Sequence, residues 1–239
     1  MRFLRALVAV FMLAFLVAPA WAGNAVLAAG AGYKKMVNAL NAAYSQESGH
    51  SLDLLFGNMA RVTMLARQSG KVGIVLGDAL YMDNAKLSLA SRQVLGRGRL
   101  VLAFARSGTF SGLDDLDTAG RIALPDVQKA IYGKAAREFL QSSGRLPAIK
   151  PRLVEVSTVP QVFSYLATNE VDMGFMNLTH TLNVLDKIGG YVVIDEKAYS
   201  PITIIAGLLE NAENPAEAML FLDFLKSPRA QSIIREHGL

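Results

Sequence analysis

The apolar residues of this chain recur in two ways. Short continuous runs alternate with stretches in which they return every three or four positions. Residues 25–29 (AVLAA) form the first run after the N-terminal region, and beyond Gly30-Ala31-Gly32 the residues Met36, Val37, Leu40 and Ala43 share one helical face. A run of four to eight reads as a buried strand, and a 3.6-residue period reads as an amphipathic helix. On that reading, strands fall at 25–29, 52–56, 73–76, 99–104 (continuing to Arg106), 121–124, 152–156, 172–176, 191–194 and 202–205. Helices fall between them at about 58–68, 128–142, 159–168 and 179–187, and two more close the chain at 215–225 and 228–237. Strands alternating with helices predict an α/β architecture with parallel pairing. The chain has no internal repeat, and its Pro/Gly breaks are short, so two lobes would have to be joined by strands or tight loops.

One run stands apart. Residues 6–17 (ALVAVFMLAFLV) are unbroken apolar, preceded by Arg2 and Arg5 and followed by Ala20-Trp21-Ala22. Twelve residues are too few to span a bilayer, which takes about 20. A basic start, an apolar middle and a small-residue exit predict a secretory signal peptide over 1–22, the alternative being a retained anchor. Cleavage would leave 22 basic against 20 acidic residues, a net charge of +2. No cluster of Lys and Arg interleaved with aromatics occurs, so no nucleic-acid surface is expected. The 239 residues contain no cysteine. Disulfides, thiolate zinc sites, a cysteine nucleophile and a lipidated cysteine are thereby excluded. A soluble protein exported to the periplasm is expected.

Catalytic chemistry finds little support. His50, His180 and His237 have no ligand-spaced partners, so no metal site is expected. Asp114-Asp115 reads as the start of a helix, favoured there by the dipole. The nucleophile-elbow, phosphate-loop, zinc-helix and dinucleotide motifs are all absent. Neither an enzyme nor a cofactor is expected. The informative feature is a set of strand-to-helix junctions at 30–33, 57–61, 131–133, 157–159 and 177–179. Helix N-termini present free backbone N–H groups and about half a positive charge, so several of them converging would trap an oxyanion. The plainer reading is that Ser157, Thr158, Asn177 and Thr179 only cap helices.

Family motifs add to this. Residues 218–231 (AMLFLDFLKSPRAQ), Tyr81-Met82-Asp83, Arg99-Leu100-Val101-Leu102, residues 133–140 (GKAAREFL) and residues 171–175 (VDMGF) occur in one order along the chain. In this respect the chain resembles the periplasmic molybdate-binding proteins of ABC importers, in the type II solute-binding class, over nearly its whole mature length. The resemblance implies two α/β lobes, each a mixed sheet flanked by helices, with the ligand cleft between them. Lobe 1 would combine 23–103 with 205–239, lobe 2 would be 104–204, and the crossings would be 99–106 and 201–209. It further implies a monomer that takes up an oxyanion, molybdate, tungstate or a relative, and delivers it to an inner-membrane ABC permease.

Carried over position by position, the resemblance places the ligand near Ala31, Gly32, Asn58, Met59, Arg61, Tyr132, Gly133, Thr158, Val159 and Asn177. Several of these differ from the family pattern. Gly32 stands where a serine is usual, Gly57-Asn58-Met59-Ala60 replaces Gly-Ser-Ser-Gly, and Asn177 stands where a tyrosine is usual. Asn58 and Asn177 would then serve as amide donors. Arg61 is either a guanidinium fork on the anion or a solvated helix residue. Tyr132 is either a cleft donor or a packed aromatic. The lost hydroxyls also suit a second outcome, a sensory or otherwise altered binding module for another small anion, without transport.

Overall fold

The structure is a computed structural model and describes residues 23–110 and 112–239; the expected signal peptide lies outside the described residues. Ten strands are present among them: β1 (Val26–Gly30), β2 (Asp53–Gly57), β3 (Val72–Asp78), β4 (Leu89–Gly98), β5 (Leu100–Phe104), β6 (Ile122–Pro125), β7 (Leu153–Val156), β8 (Met173–Asn177), β9 (Gly190–Val193) and β10 (Ile202–Leu209). The α-helices are α1 (Lys34–Ser48), α2 (Met59–Gln68), α3 (Ala79–Asn84), α4 (Ile131–Ser142), α5 (Leu146–Ile149), α6 (Val159–Ala167), α7 (Leu178–Leu182), α8 (Pro215–Phe224) and α9 (Pro228–Glu236).

The strands form two five-stranded sheets of matching design, β2-β1-β3-β10-β4 and β7-β6-β8-β5-β9. In each sheet three strands are parallel, and the fourth runs antiparallel to them: β10 beside β3 in the first, β5 beside β8 in the second. Strand alternation thus predicts the parallel cores correctly and misses the antiparallel partners. β10 returns to the first sheet from the far end of the chain, and β5 is the strand by which the chain enters the second, so the direction of each follows from the crossover and not from a local β-α-β unit.

The chain leaves the first sheet after Gly98 and enters the second at Leu100, with Arg99 alone between β4 and β5. It returns between β9 and β10. The boundaries expected at 103/104 and 204/205 therefore fall inside β5 and β10. The edge strand β4 has no counterpart in the sequence reading, because its apolar positions are interrupted by Arg92 and Arg97 on the solvent side and by Ser91 and Gln93 on the other. The expected helix at 179–187 is shorter: α7 ends at Leu182, and a single 3-10 turn follows at Leu185–Lys187.

Burial explains why these segments took these forms. All seven residues of β3 and all five of β5 and of β8 are buried, as continuous apolar runs covered on both faces should be. In α1 the buried set Met36, Val37, Leu40, Ala43 and Tyr44 is one helical stripe. The helix ends at Gly49, whose φ of 75° supplies the left-handed C-terminal residue.

Candidate functional site

The carboxyl ends of the parallel strands in both sheets point toward one space. Gly30 and Gly57 are register partners at the ends of β1 and β2, while Pro125 and Val156 are partners at the ends of β6 and β7. Ligand crevices of α/β sheets form outside such strand ends, where the following helices begin. Here four segments meet around a cavity of about 30 Å³: Gly30–Tyr33, Gly57–Met59, Ala130–Tyr132 and Thr158–Val159. That is space for a compact ion; sites for drug-sized ligands span about 300–1,000 Å³. No acidic, basic or histidine side chain lines it.

Polarity comes instead from backbone and hydroxyls. In α4 the first i→i−4 bond runs from the Lys134 N–H to the Ala130 carbonyl. The N–H groups of Ile131, Tyr132 and Gly133 precede it and have no partner within the helix. In α6 Pro160 occupies the second position and fits there because it lacks an N–H. Thr158 precedes α6 and makes no side-chain cap bond, so its hydroxyl stays available, contrary to the plain capping reading. Asn177 likewise caps nothing. Asn58 does cap: its Oδ1 accepts the Arg61 N–H at 3.0 Å.

The two halves touch directly around this cavity. The hydroxyls of Tyr33 and Tyr132 are 2.5 Å apart. Asn58 Nδ2 donates to Ser157 Oγ at 3.2 Å, Asn177 Nδ2 donates to the Gly32 carbonyl at 3.2 Å, and the Ala60 N–H donates to the Lys129 carbonyl at 3.2 Å. Burial pushes both phenols up from their ordinary range. For Tyr33, Tyr132 and the Asp78 carboxylate add to that shift; for Tyr132, the bond to Tyr33 opposes it. Both therefore remain neutral hydroxyls near pH 7. Asp78, at the start of α3, accepts the N–H groups of Tyr81 and Thr203, and burial raises its pKa.

Of the ten expected positions, Ala31, Gly32, Asn58, Met59, Tyr132, Thr158 and Val159 line the cavity. Three do not. Arg61 is exposed in the first turn of α2, its side chain folded over Gly57, which is the second of its two readings, a solvated helix residue. Gly133 lies behind the wall, where a Cβ would come 2.2 Å from the Pro125 carbonyl oxygen. Glycine is what lets α4 pack against the end of β6. Asn177 is fully buried behind Gly32, and a Cβ on Gly32 would sit 2.6 Å from its Oδ1. Tyr132 proves to be both of its alternatives, a packed aromatic with its hydroxyl at the cavity. The junction expected at 30–33 ends at Tyr33, whose hydroxyl the sequence pattern does not assign. A tyrosine directly after a Gly-Ala-Gly turn at a strand end was the available signal.

Comparison with known proteins agrees with this architecture. The family described as bacterial extracellular solute-binding protein matches residues 25–239. The chain is 28% identical over 231 residues to the molybdate-binding protein ModA of Rhodobacter capsulatus, covering 92% of this chain and 89% of that one. Among solved structures, the periplasmic molybdate-binding protein of Azotobacter vinelandii superimposes with a TM-score of 0.81 at 24% identity, covering 89% of this chain and 97% of that one. The sulfate-binding protein SubI of Mycobacterium tuberculosis superimposes with a TM-score of 0.73 at 12% identity, covering 90% and 85%. These two likenesses establish the two-lobe type II binding-protein fold.

Proposed function

This chain belongs to the bacterial extracellular solute-binding proteins, a family with a binding rather than an enzymatic role, and we propose that it captures a small oxyanion, molybdate, tungstate or a relative, between its two lobes in the periplasm and hands it to an ABC permease. The observation that carries this reading is the cavity itself: helix beginnings from both sheets around about 30 Å³, with no charged side chain on the wall. Such a site holds an anion by N–H groups and hydroxyls whose dipoles are already oriented, without a counter-charge. Each hydrogen bond to a charged oxygen is worth about 1.5–3 kcal/mol, so a handful suffices for tight binding. Bare cations and neutral sugars gain nothing comparable from these donors.

The hinge follows from the topology. Arg99 and the segment between β9 and β10 are the places where the chain passes between sheets, and rotation there separates Tyr33 from Tyr132 and Gly32 from Asn177. Ligand favours the closed form because only that form offers it both half-sites. Isothermal titration of residues 23–239 against molybdate, tungstate, sulfate and phosphate tests the reading. Micromolar or tighter binding of at least one of them supports it, and silence with all four overturns it.

A second reading, anion sensing without transport, draws on the amides. Asn58 and Asn177, which stand where hydroxyl donors are usual, are both engaged in contacts between the lobes. Copurification with a permease supports delivery, whereas copurification with a membrane sensor kinase supports sensing.

A further inference from the structure

The uncharged wall of the small cavity attracts an anion only at short range, because the field of a helix terminus fades within about one turn. Positive charge lies immediately outside it. α2 turns Ala60, Thr63, Arg67 and Gln68 toward Gln128 and Lys134 of the other half, and a chamber of about 460 Å³ lies between them. The helix residues are spaced i, i+3, i+7 and i+8, one continuous face. No carboxylate lines this chamber. Arg67 makes no ion pair among the described residues; Lys134 lies 3.7 Å from Glu138 and its charge also acts on the Asp78 carboxylate, and both acids line the space on its other side. The amides of Gln68, Asn84 and Gln128 add neutral donors.

This chamber and the inner cavity are neighbours along the seam between the two halves. Met59 lines the cavity and Ala60 the chamber; Ala130 lines the cavity and Gln128 the chamber. Between them the Ala60 N–H reaches the Lys129 carbonyl at 3.2 Å.

We propose that the outer chamber is a second, weaker anion site, centred on Arg67 and Lys134, which receives a polyatomic inorganic anion before it enters the inner cavity. Its delivery role rests on the inner cavity being an oxyanion site; its own binding does not. Fixed cations in a cleft with low-dielectric walls raise local anion concentration and association rates by about 10–1,000-fold, an effect that weakens with salt. A guanidinium and an ammonium together with amide donors suit phosphate-like oxygens of any arrangement.

Pyrophosphate separates the two sites, since it fits the chamber and exceeds the inner cavity. Titrated into the mature chain at low salt, it should saturably shift the side-chain amide resonances of Gln68, Asn84 and Gln128. Arg67→Gln with Lys134→Gln should weaken that binding at least tenfold. Lys71→Gln with Lys187→Gln, the same change of net charge at exposed positions elsewhere, should leave it within twofold. In stopped-flow tyrosine fluorescence, the first pair should also slow molybdate association about tenfold without changing dissociation. Equal pyrophosphate binding in wild type and the Arg67/Lys134 variant overturns the proposal, as does an equal loss in the charge-matched control. Failure of molybdate to bind wild type would count against the inner site alone, and the pyrophosphate titration would still decide the chamber.

Discussion

Tyr33 and Tyr132, 99 positions apart, meet hydroxyl to hydroxyl at 2.5 Å, both almost fully buried. Tyr33 ends the 3-10 turn after β1, and Tyr132 lies in the first turn of α4, so this bond is a direct tie between the two sheets. One proton lies between the two oxygens, which leaves the pair a second hydroxyl proton.

Removing one member of this pair should cost more than removing both. Tyr33→Phe or Tyr132→Phe alone leaves a buried hydroxyl without its partner, at about 1–3 kcal/mol. The double variant should recover part of that loss. Chemical denaturation of the four proteins as a double-mutant cycle measures the coupling; strictly additive losses would show that the bond contributes nothing in solution.

Gly32→Ala should impair binding through geometry alone. Its Cβ would stand 2.6 Å from Asn177 Oδ1, so the lobes cannot reach the closed arrangement unless the amide moves. Anion affinity should fall at least tenfold, equivalent to about 1.4 kcal/mol, with thermal stability of the open protein little changed. Truncating the obstacle in Gly32→Ala/Asn177→Ala should restore part of the affinity. No rescue in titration calorimetry would place the clash elsewhere.

Arg61 and Asn58 should separate. Arg61→Ala changes an exposed side chain and should alter both affinity and stability by no more than about 0.5 kcal/mol. Asn58→Ala removes the cap of α2 as well as the bond to Ser157. A lost cap costs about 1 kcal/mol of stability, and the lost contact between lobes should weaken anion binding in addition. Affinities of both variants for one anion check this, and a large loss for Arg61→Ala would return the guanidinium to the cleft.

Acid should destabilise the protein through His180. Burial, with Lys35 nearby, pushes its pKa down to about 4; its Nε2 is buried without a partner, and Phe163 packs edge-on to the ring at 5.7 Å. Because the folded pKa is lower than the unfolded one, the unfolded chain binds the proton first. Stability is therefore lost as pH falls from about 6.5 toward 4, by up to about 2 kcal/mol at pH 5. The buried Asp78, whose pKa is raised, works in the opposite direction and reduces the net slope. Melting temperatures of wild type and His180→Phe at pH 7.5 and 5 isolate the histidine: the variant should lose less on acidification, and parallel losses would exclude this residue as the cause.

Much of the fold was legible in one dimension, for identifiable reasons. The strands β1, β2, β3, β5, β6, β7 and β8 are compact apolar runs, and α1, α2, α4 and α6 show a buried stripe, because one-sided or two-sided burial writes a period into the sequence. β4 left no such mark: its burial alternates, but the polar Ser91 and Gln93 fill half-buried positions and Val94 an exposed one, so hydropathy does not follow burial there. Most of the site was legible in outline as well. Strand-to-helix junctions announce themselves through Gly, Asn, Ser and Thr, and four of the five named junctions supply the cavity wall.

Sequence alone thus determined the alternation of elements, the absence of thiol chemistry and the places where helices begin. Only the tertiary structure decided which of those beginnings face one another. Pairings between Tyr33 and Tyr132, 99 positions apart, or Gly32 and Asn177, 145 apart, leave no periodic signal. Those contacts exist because the chain passes between the sheets at Arg99 and again between β9 and β10, which brings two walls together. The packing of the two halves likewise puts Arg67 and Lys134 around one space: which face of a helix meets the opposite lobe depends on how the lobes pack, and local propensity does not encode that choice.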